Sequence, residues 1–208
     1  MKRPILITGC AASGTKAISL ILKRAKVYVE HERMGADGMA SWFLAIGNTS
    51  HSPVYNRQAY FSDFKRDPII LHQTRHPLKA ISTMQRFKTP SWEWILAHLP
   101  QISKKDSKIL QAMKYWLLWN RKAEELAEWR YQIEELANVW DELAERIGRP
   151  SLLTYRKVCL AMNNGRLHTR RKKYKPLTWE ILFKESKEIA DRIVEQGERY
   201  GYQISKEL

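Results

Sequence analysis

The chain has few cysteines, few acidic side chains and no long hydrophobic run. Its two cysteines, Cys10 and Cys159, are too few for a disulfide framework or a cysteine zinc cluster, so we expect reduced thiols. The apolar run at residues 5–7 is too short for a signal peptide, and no run approaches the roughly 20 residues of a membrane helix. We therefore predict a cytoplasmic protein that does not enter a membrane.

The shortage of acidic residues leaves the chain strongly basic. There are 22 Asp and Glu against 36 Lys and Arg, and the formal net charge is +14. Such an excess predicts an anionic partner, whether nucleic acid, a membrane surface or a small polyanion. More than half of it falls in residues 156–184, which hold nine Lys or Arg and one acid, Glu180. This concentration favours a small anion with phosphate-type ends over nucleic acid.

The order of apolar runs and turn residues predicts strands that alternate with helices in a single domain, residues 1–208. Strands are expected at residues 5–8, 26–30, 68–72 and 129–133, and residues 89–103 are expected to be loop. Helices are expected at residues 17–22, 42–46 (capped by Asp37 or Ser41), 77–86, 108–128, 135–147 and 178–200. This order predicts an α/β three-layer sandwich around a parallel sheet of about four to five strands.

A glycine-rich segment joins the first strand to the first helix. It consists of Gly9, Cys10, Ala11, Ala12, Ser13, Gly14, Thr15 and Lys16. Free backbone N–H groups and the helix dipole converge at such a junction, so we predict that these eight residues bind a phosphate group. The glycine spacing is that of a Walker A loop, but Thr15 precedes Lys16 where an ATPase has Lys before Ser or Thr. A turn that only connects strand and helix is the alternative.

A second candidate anion site follows the third predicted strand. Arg75 stands at the strand end, Pro77 begins the next helix, and Ser82 and Thr83 come about two turns later. A guanidinium and a hydroxyl can hold a phosphate by charge-assisted hydrogen bonds. A purely structural role for Arg75 is the alternative.

Together, strand–Gly-x3-Ser-Gly-Thr–helix and strand–Arg-x-Pro-x4-Ser–helix resemble the sulfotransferases of bacterial and phage type that use 3′-phosphoadenosine 5′-phosphosulfate (PAPS). Further similar segments lie at residues 31–42, 131–136, 164–180 and 200–202, so the resemblance spans nearly the whole chain. It implies a fold like that of P-loop nucleotide kinases, with the 5′-phosphosulfate at the first loop and the 3′-phosphate at the second segment. It also implies PAP as product, no metal, and a small-molecule or carbohydrate acceptor.

The resemblance also implies roles for individual residues. Ala12 stands where the family usually carries Lys or Arg, so the charge that stabilises the leaving phosphate is assigned to Lys16. Ser82 and Thr83 compete for the contact with the 3′-phosphate. Three residues of the late basic run are expected to contact it as well: Arg170, Arg171 and Lys172. A solvated patch that resembles a nucleic-acid surface is the other interpretation of that run.

A general base for an acceptor hydroxyl is expected at the end of the second strand, beside the first loop. Glu30, His31 and Glu32 cluster there. We favour Glu32 as the base, with His31 second, and a solvated strand end is the alternative. Trp42, Trp92 and Trp94 are expected in loops that line an acceptor pocket.

Two other functions remain open from the sequence. One is a P-loop kinase of nucleotides or small molecules, which the Thr15-Lys16 order argues against. The other is a weakly active relative that binds PAPS or nucleic acid, which Ala12 and the basic run favour.

Overall fold

In a computed structural model of the protein, five parallel strands form one sheet in the order β2-β3-β1-β4-β5. The structure describes residues 2–46, 61–150, 152–163 and 176–204. The strands are β1 (Ile5–Thr8), β2 (Val29–His31), β3 (Gly38–Ala40), β4 (Ile69–Thr74) and β5 (Trp129–Gln132). The predicted class, a three-layer α/β sandwich with a parallel sheet, is confirmed.

Helices connect the strands and cover both faces of the sheet. The α-helices of the described residues are α1 (Thr15–Arg24), α2 (Pro77–Met84), α3 (Thr89–His98), α4 (Lys108–Leu126), α5 (Trp140–Arg146), α6 (Tyr155–Asn163), α7 (Trp179–Glu185) and α8 (Lys187–Arg199). Short 3-10 helices lie at Phe43–Ile46, Phe61–Asp63 and Ile133–Glu135.

The alternation of side chains along β1 divides the interior into two cores. Ile5 and Ile7 point to one face, where they join apolar side chains of α1, α5 and α6. Leu6 points to the other face, where α2, α3, α4, α7 and α8 supply a larger core rich in tryptophan. Both faces of β1 are therefore buried, which is why its sequence is a continuous apolar run.

The prediction missed β3, which lies between β1 and β2 in the sheet. Its three residues contain no β-branched side chain, and its first residue, Gly38, has φ +142°. Asp37 and Ser41 do not cap a helix as predicted. The Asp37 carboxylate accepts from the Tyr28 N–H at 2.7 Å, and the Ser41 hydroxyl donates to Glu32. A 3-10 helix, Phe43–Ile46, replaces the predicted α-helix.

Several predicted helix boundaries were wrong for identifiable reasons. Residues 89–98 form α3 instead of loop, because Pro90 falls in the first turn, where its missing N–H costs no helical bond. The predicted last helix is two helices, separated at Ser186, whose hydroxyl caps α8 by accepting from Ile189 N–H. The predicted helix at 135–147 is a 3-10 turn followed by α5.

The second strand begins at Val29, three residues later than predicted.

Two expectations from the sequence concern the cysteines and membrane-spanning helices. Cys10 and Cys159 are free, as expected. Within the described ranges, no helix is long and apolar enough to cross a bilayer.

Replacement of Gly38 by alanine tests the position of β3. A Cβ at Gly38 would lie 1.9 Å from the Ile5 carbonyl oxygen, so we expect Gly38→Ala to lower the free energy of unfolding by about 3 kcal/mol or more. Gly148→Ala is the matched control, since Gly148 has φ +67° but nothing within 4 Å of its Cβ position, and it should cost about 1 kcal/mol. Urea unfolding followed by tryptophan fluorescence measures both. Equal losses would contradict the pairing of β3 with β1.

Candidate active site at the carboxyl edge of the sheet

Residues 9–16, which we call the glycine loop, run from the end of β1 into the first turn of α1. Two left-handed residues bend its path, Ala12 at φ 68° and Gly14 at φ 99°. At Gly9 the loop passes so close to β4 that a Cβ would lie 2.2 Å from the Gln73 carbonyl oxygen. Glycine is therefore required at position 9, and the loop lies against the ends of two central strands.

Two buried side chains of α4 hold the start of the glycine loop. Asn120 Oδ1 accepts from the Cys10 N–H at 3.3 Å, and the Tyr115 hydroxyl accepts from the Ala11 N–H at 3.0 Å. Burial raises the pKa of Tyr115 well above its usual value, so the phenol stays neutral. The N–H groups of Cys10 and Ala11, which the sequence assigned to a phosphate, are therefore used inside the protein.

Gln73 of β4 supports the loop from the sheet side. Its Nε2 donates to the Ser13 carbonyl oxygen at 2.8 Å, and its Oε1 accepts from the Tyr131 hydroxyl at 2.7 Å. Sequence reasoning assigned no role to Gln73, Tyr115 or Asn120. An amide at helical spacing from apolar residues of α4, as at Asn120, was the available signal.

The remaining part of the glycine loop offers hydrogen-bond donors that no described residue uses. Within the described residues, no partner accepts from the N–H groups of Ala12, Gly14, Thr15 or Lys16. The Ser13 hydroxyl is also without a partner, although the side chain is 0% exposed. It points into the loop, 3.1 Å from where a Gly9 Cβ would be. Unpaired buried polar groups are costly, so this cluster of donors is suited to an anion.

Arg75 and Lys16 are the two cations at the loop, and they differ in their contacts. Arg75, just past β4, is partly buried, and its Nη1 donates to the Ala12 carbonyl oxygen at 3.0 Å. A guanidinium has five N–H donors, so others are left for an anion. The Lys16 side chain is exposed and forms no ion pair with the residues described. Arg75 is thus the cation in contact with the loop.

Ser82 and Thr83 on α2 differ in what they contact. The buried Ser82 hydroxyl accepts from the Leu177 N–H at 2.9 Å, which ties α2 to the chain ahead of α7. Thr83 donates to the Lys79 carbonyl oxygen one turn earlier in its own helix, at 2.9 Å. The predicted contact of either hydroxyl with a 3′-phosphate stays a prediction. The predicted basic contacts, Arg170, Arg171 and Lys172, lie outside the described residues.

A cluster of hydroxyl, imidazole and carboxylate groups lies where β2 ends. His31 Nε2 is 3.3 Å from Thr15 Oγ1 in the first turn of α1 and 3.4 Å from Glu32 Oε1. The Ser41 hydroxyl donates to Glu32 Oε2 at 2.9 Å. The predicted pair of candidate bases is therefore brought directly to the glycine loop, and Ser41 is a further member that sequence reasoning placed elsewhere.

His31 and Glu32 differ in their exposure to solvent. The Glu32 side chain is 0% exposed, whereas that of His31 is 19% exposed. Glu32 also has a left-handed backbone, φ 56°, which is uncommon outside glycine and costs free energy. A buried carboxylate in a strained conformation needs a compensating role. Its position favours orientation of His31 over direct contact with an acceptor.

The three tryptophans expected at an acceptor pocket are not equivalent. Trp42 and Trp92 are core residues, and Trp94, on α3, is partly exposed. The Trp94 ring centroid is 5.2 Å from that of Trp42 and 4.2 Å from that of His98. Trp42 also contacts Tyr115, so aromatic rings connect the glycine loop to Trp94. A contact between Trp94 and an acceptor stays a prediction.

Burial controls the protonation of Cys10, in the loop, and of His72, on β4. It raises the pKa of the Cys10 thiol to about 12, so the thiol is neither charged nor nucleophilic at neutral pH. It lowers the pKa of His72 to about 4, although a hydrogen bond to Asn120 opposes this shift. With its proton on Nε2, neutral His72 donates to the same Asn120 oxygen that accepts from Cys10.

Comparison with known proteins does not name a family. No family model matches the chain, and no curated protein matches it. The resemblance to sulfotransferases therefore rests on the residues quoted from the sequence.

The depressed pKa of His72 predicts a loss of stability in acid. The unfolded chain binds a proton near pH 6.5 and the folded chain only near pH 4, so protonation favours unfolding as the pH falls through this window. We expect His72 to account for a loss of about 3 kcal/mol between neutral pH and pH 4. Urea unfolding at pH 7.5 and 4.5, compared between the wild type and His72→Gln, measures this share. An equally steep pH dependence in the variant would contradict the assignment.

Proposed function

We propose that this protein is a PAPS-dependent sulfotransferase. The observation that carries the proposal is the glycine loop, where four backbone N–H groups and the buried Ser13 hydroxyl have no partner among the described residues. Arg75 lies against the same loop at the Ala12 carbonyl. The Gly-x3-Ser-Gly-Thr and Arg-x-Pro segments add the resemblance in sequence.

The donors of the loop fit the phosphosulfate end of PAPS. All are N–H or O–H groups at the N-terminus of α1, where the helix dipole favours negative charge. When bound, PAPS supplies the sulfuryl group and a phosphate as the leaving group. The loop N–H groups and Ser13 would hold the anionic oxygens. Arg75, which the resemblance places at the 3′-phosphate, would instead balance charge on the leaving phosphate, because it lies against the loop. Lys16 contributes its backbone N–H and remains the second candidate cation.

The cluster at the end of β2 supports a base for the acceptor hydroxyl or amine. Glu32 Oε1 beside Nε2 favours the His31 tautomer with its proton on Nε2. Nδ1 of His31 is then the atom that accepts the proton of the acceptor. In this proposal His31 is the base and Glu32 orients it, which reverses the preference drawn from the sequence. An acceptor of the small-molecule or carbohydrate class remains part of the proposal.

The first test of the proposal compares ligands and a variant of the loop. Thermal shift and calorimetry should show binding of PAP, and ATP with Mg²⁺ should bind more weakly. Ser13→Ala should weaken PAP binding about tenfold, because a hydrogen bond to a charged group is lost.

Ser19→Ala is the matched control for Ser13, since Ser19 is a buried serine farther along α1. Its affinity for PAP should stay close to that of the wild type. Stabilisation by ATP with Mg²⁺ but not by PAP would replace the proposal with a P-loop kinase. Stabilisation only by a DNA oligonucleotide would favour a nucleic-acid binder.

The second test separates His31 from Glu32. His31→Gln should keep PAP binding and lower PAP release from PAPS, measured with a panel of phenol and oligosaccharide acceptors, by about 10²-fold or more. Glu32→Gln should lower it by at least about tenfold, because the imidazole loses its orienting partner.

Glu30→Gln is the control, since Glu30 pairs with Lys23 and Arg33 and not with His31. It should leave the rate unchanged. If His31→Gln keeps full turnover while Glu32→Gln loses it, Glu32 is the base itself.

A further inference from the structure

A cleft of about 530 Å³ lies at the edge of the sheet opposite to the glycine loop. We call it the amino-edge cleft, because it is lined by the residues before β1 and β3 and by the segment that follows the 3-10 helix Phe61–Asp63. Its volume is within the range of small-molecule sites. β1 has four residues and is about 13 Å long, so the cleft and the glycine loop are at least that far apart.

The inner wall of the amino-edge cleft is apolar. Pro4, Met34 and Phe64 line it. Phe64 is nearly buried, and Met34 packs against the larger core. An apolar surface of this kind suits the flat or aliphatic body of an organic ligand.

The rim of the cleft carries an excess of cations. Five basic residues line it against two acids, Asp37 and Asp63; the basic residues are Lys2, Arg3, Lys65, Arg66 and Arg149. Asp37 pairs with Arg149 and Arg3 pairs with Glu128, so these charges are already neutralised. Lys2 and Lys65 are exposed and form no ion pair with any residue the structure describes. The rim therefore favours a negatively charged group.

An ion pair and two backbone hydrogen bonds hold the turn that forms one wall of the cleft. Asp37 joins the turn before β3 to Arg149, which follows α5 on one face of the sheet. Within that turn, Gly35 N–H donates to the Gly38 carbonyl oxygen at 2.8 Å, and Asp37 N–H donates to the Tyr28 carbonyl oxygen at 3.1 Å. A wall held by these bonds needs little reorganisation to receive a ligand.

We propose that the amino-edge cleft is a second ligand site, which binds a small organic anion with an apolar body. The body contacts Pro4, Met34 and Phe64, and the anionic group lies at Lys2 and Lys65. This site does not depend on the proposed function, since it lies at the other edge of the sheet.

The test uses the fluorescent aryl sulfonate 1-anilinonaphthalene-8-sulfonate as the probe, with PAP present in excess to occupy the glycine loop. The wild type should bind the probe with a stoichiometry of one. Lys65→Glu should weaken binding about fivefold by reversing a charge at the rim. Ala36→Trp should abolish it, because the exposed Ala36 lines the cleft and a tryptophan there fills the space.

Lys105→Glu, an exposed lysine outside the lining residues, is the control for charge and should bind the probe like the wild type. Thermal unfolding of each variant shows that it is folded. Absence of probe binding, or an affinity that neither Lys65→Glu nor Ala36→Trp changes, would overturn the proposal. Failure of PAP to bind in a separate titration would instead contradict the proposed function. In that case the effects of Lys65→Glu and Ala36→Trp on probe binding still decide whether the cleft is a ligand site.

Discussion

The glycine loop depends on hydrogen bonds that its first N–H groups donate to α4. Asn120 receives the Cys10 N–H and Tyr115 receives the Ala11 N–H, and both acceptors are buried. These bonds fix the loop at its start, and the bond from Gln73 to the Ser13 carbonyl fixes it three residues later. With the loop held at these points, the N–H groups of Ala12, Gly14, Thr15 and Lys16 have no partner among the described residues. The cluster of N–H groups without a partner among the described residues thus follows from how α4 and β4 pack.

The same arrangement explains why a histidine stays neutral in the core. His72 shares the Asn120 oxygen with Cys10, and a charged imidazole there would lie in a fully buried setting beneath a loop suited to anions. On the other side of the loop, the buried Glu32 carboxylate is held by Ser41 and faces His31. The loop is therefore held on one side by the neutral His72 and Asn120 pair. On the other side lie the hydrogen-bonded Ser41, Glu32 and His31.

Strands with strong local signals were predicted from the sequence, and the one without such a signal was not. β1, β4 and β5 contain apolar, β-branched or aromatic residues in short runs, and all three were found. β3 reads Gly-Met-Ala, and only its place between β1 and β2 makes it a strand. The glycine loop could be predicted because its residues are consecutive. Its supports come from residues more than 50 positions away, and a single sequence carries no information on such distant contacts.

The burial of Cys10 has a practical consequence for thiol chemistry. With its pKa raised to about 12, only about one thiol in 10⁵ is ionised at neutral pH, and the side chain is closed to solvent. Cys159, the second of the chain's two cysteines, is partly exposed on α6. A maleimide dye should therefore label the native protein at one position without any engineered cysteine. That label would sit on the helix that packs against α1, the helix that begins in the glycine loop.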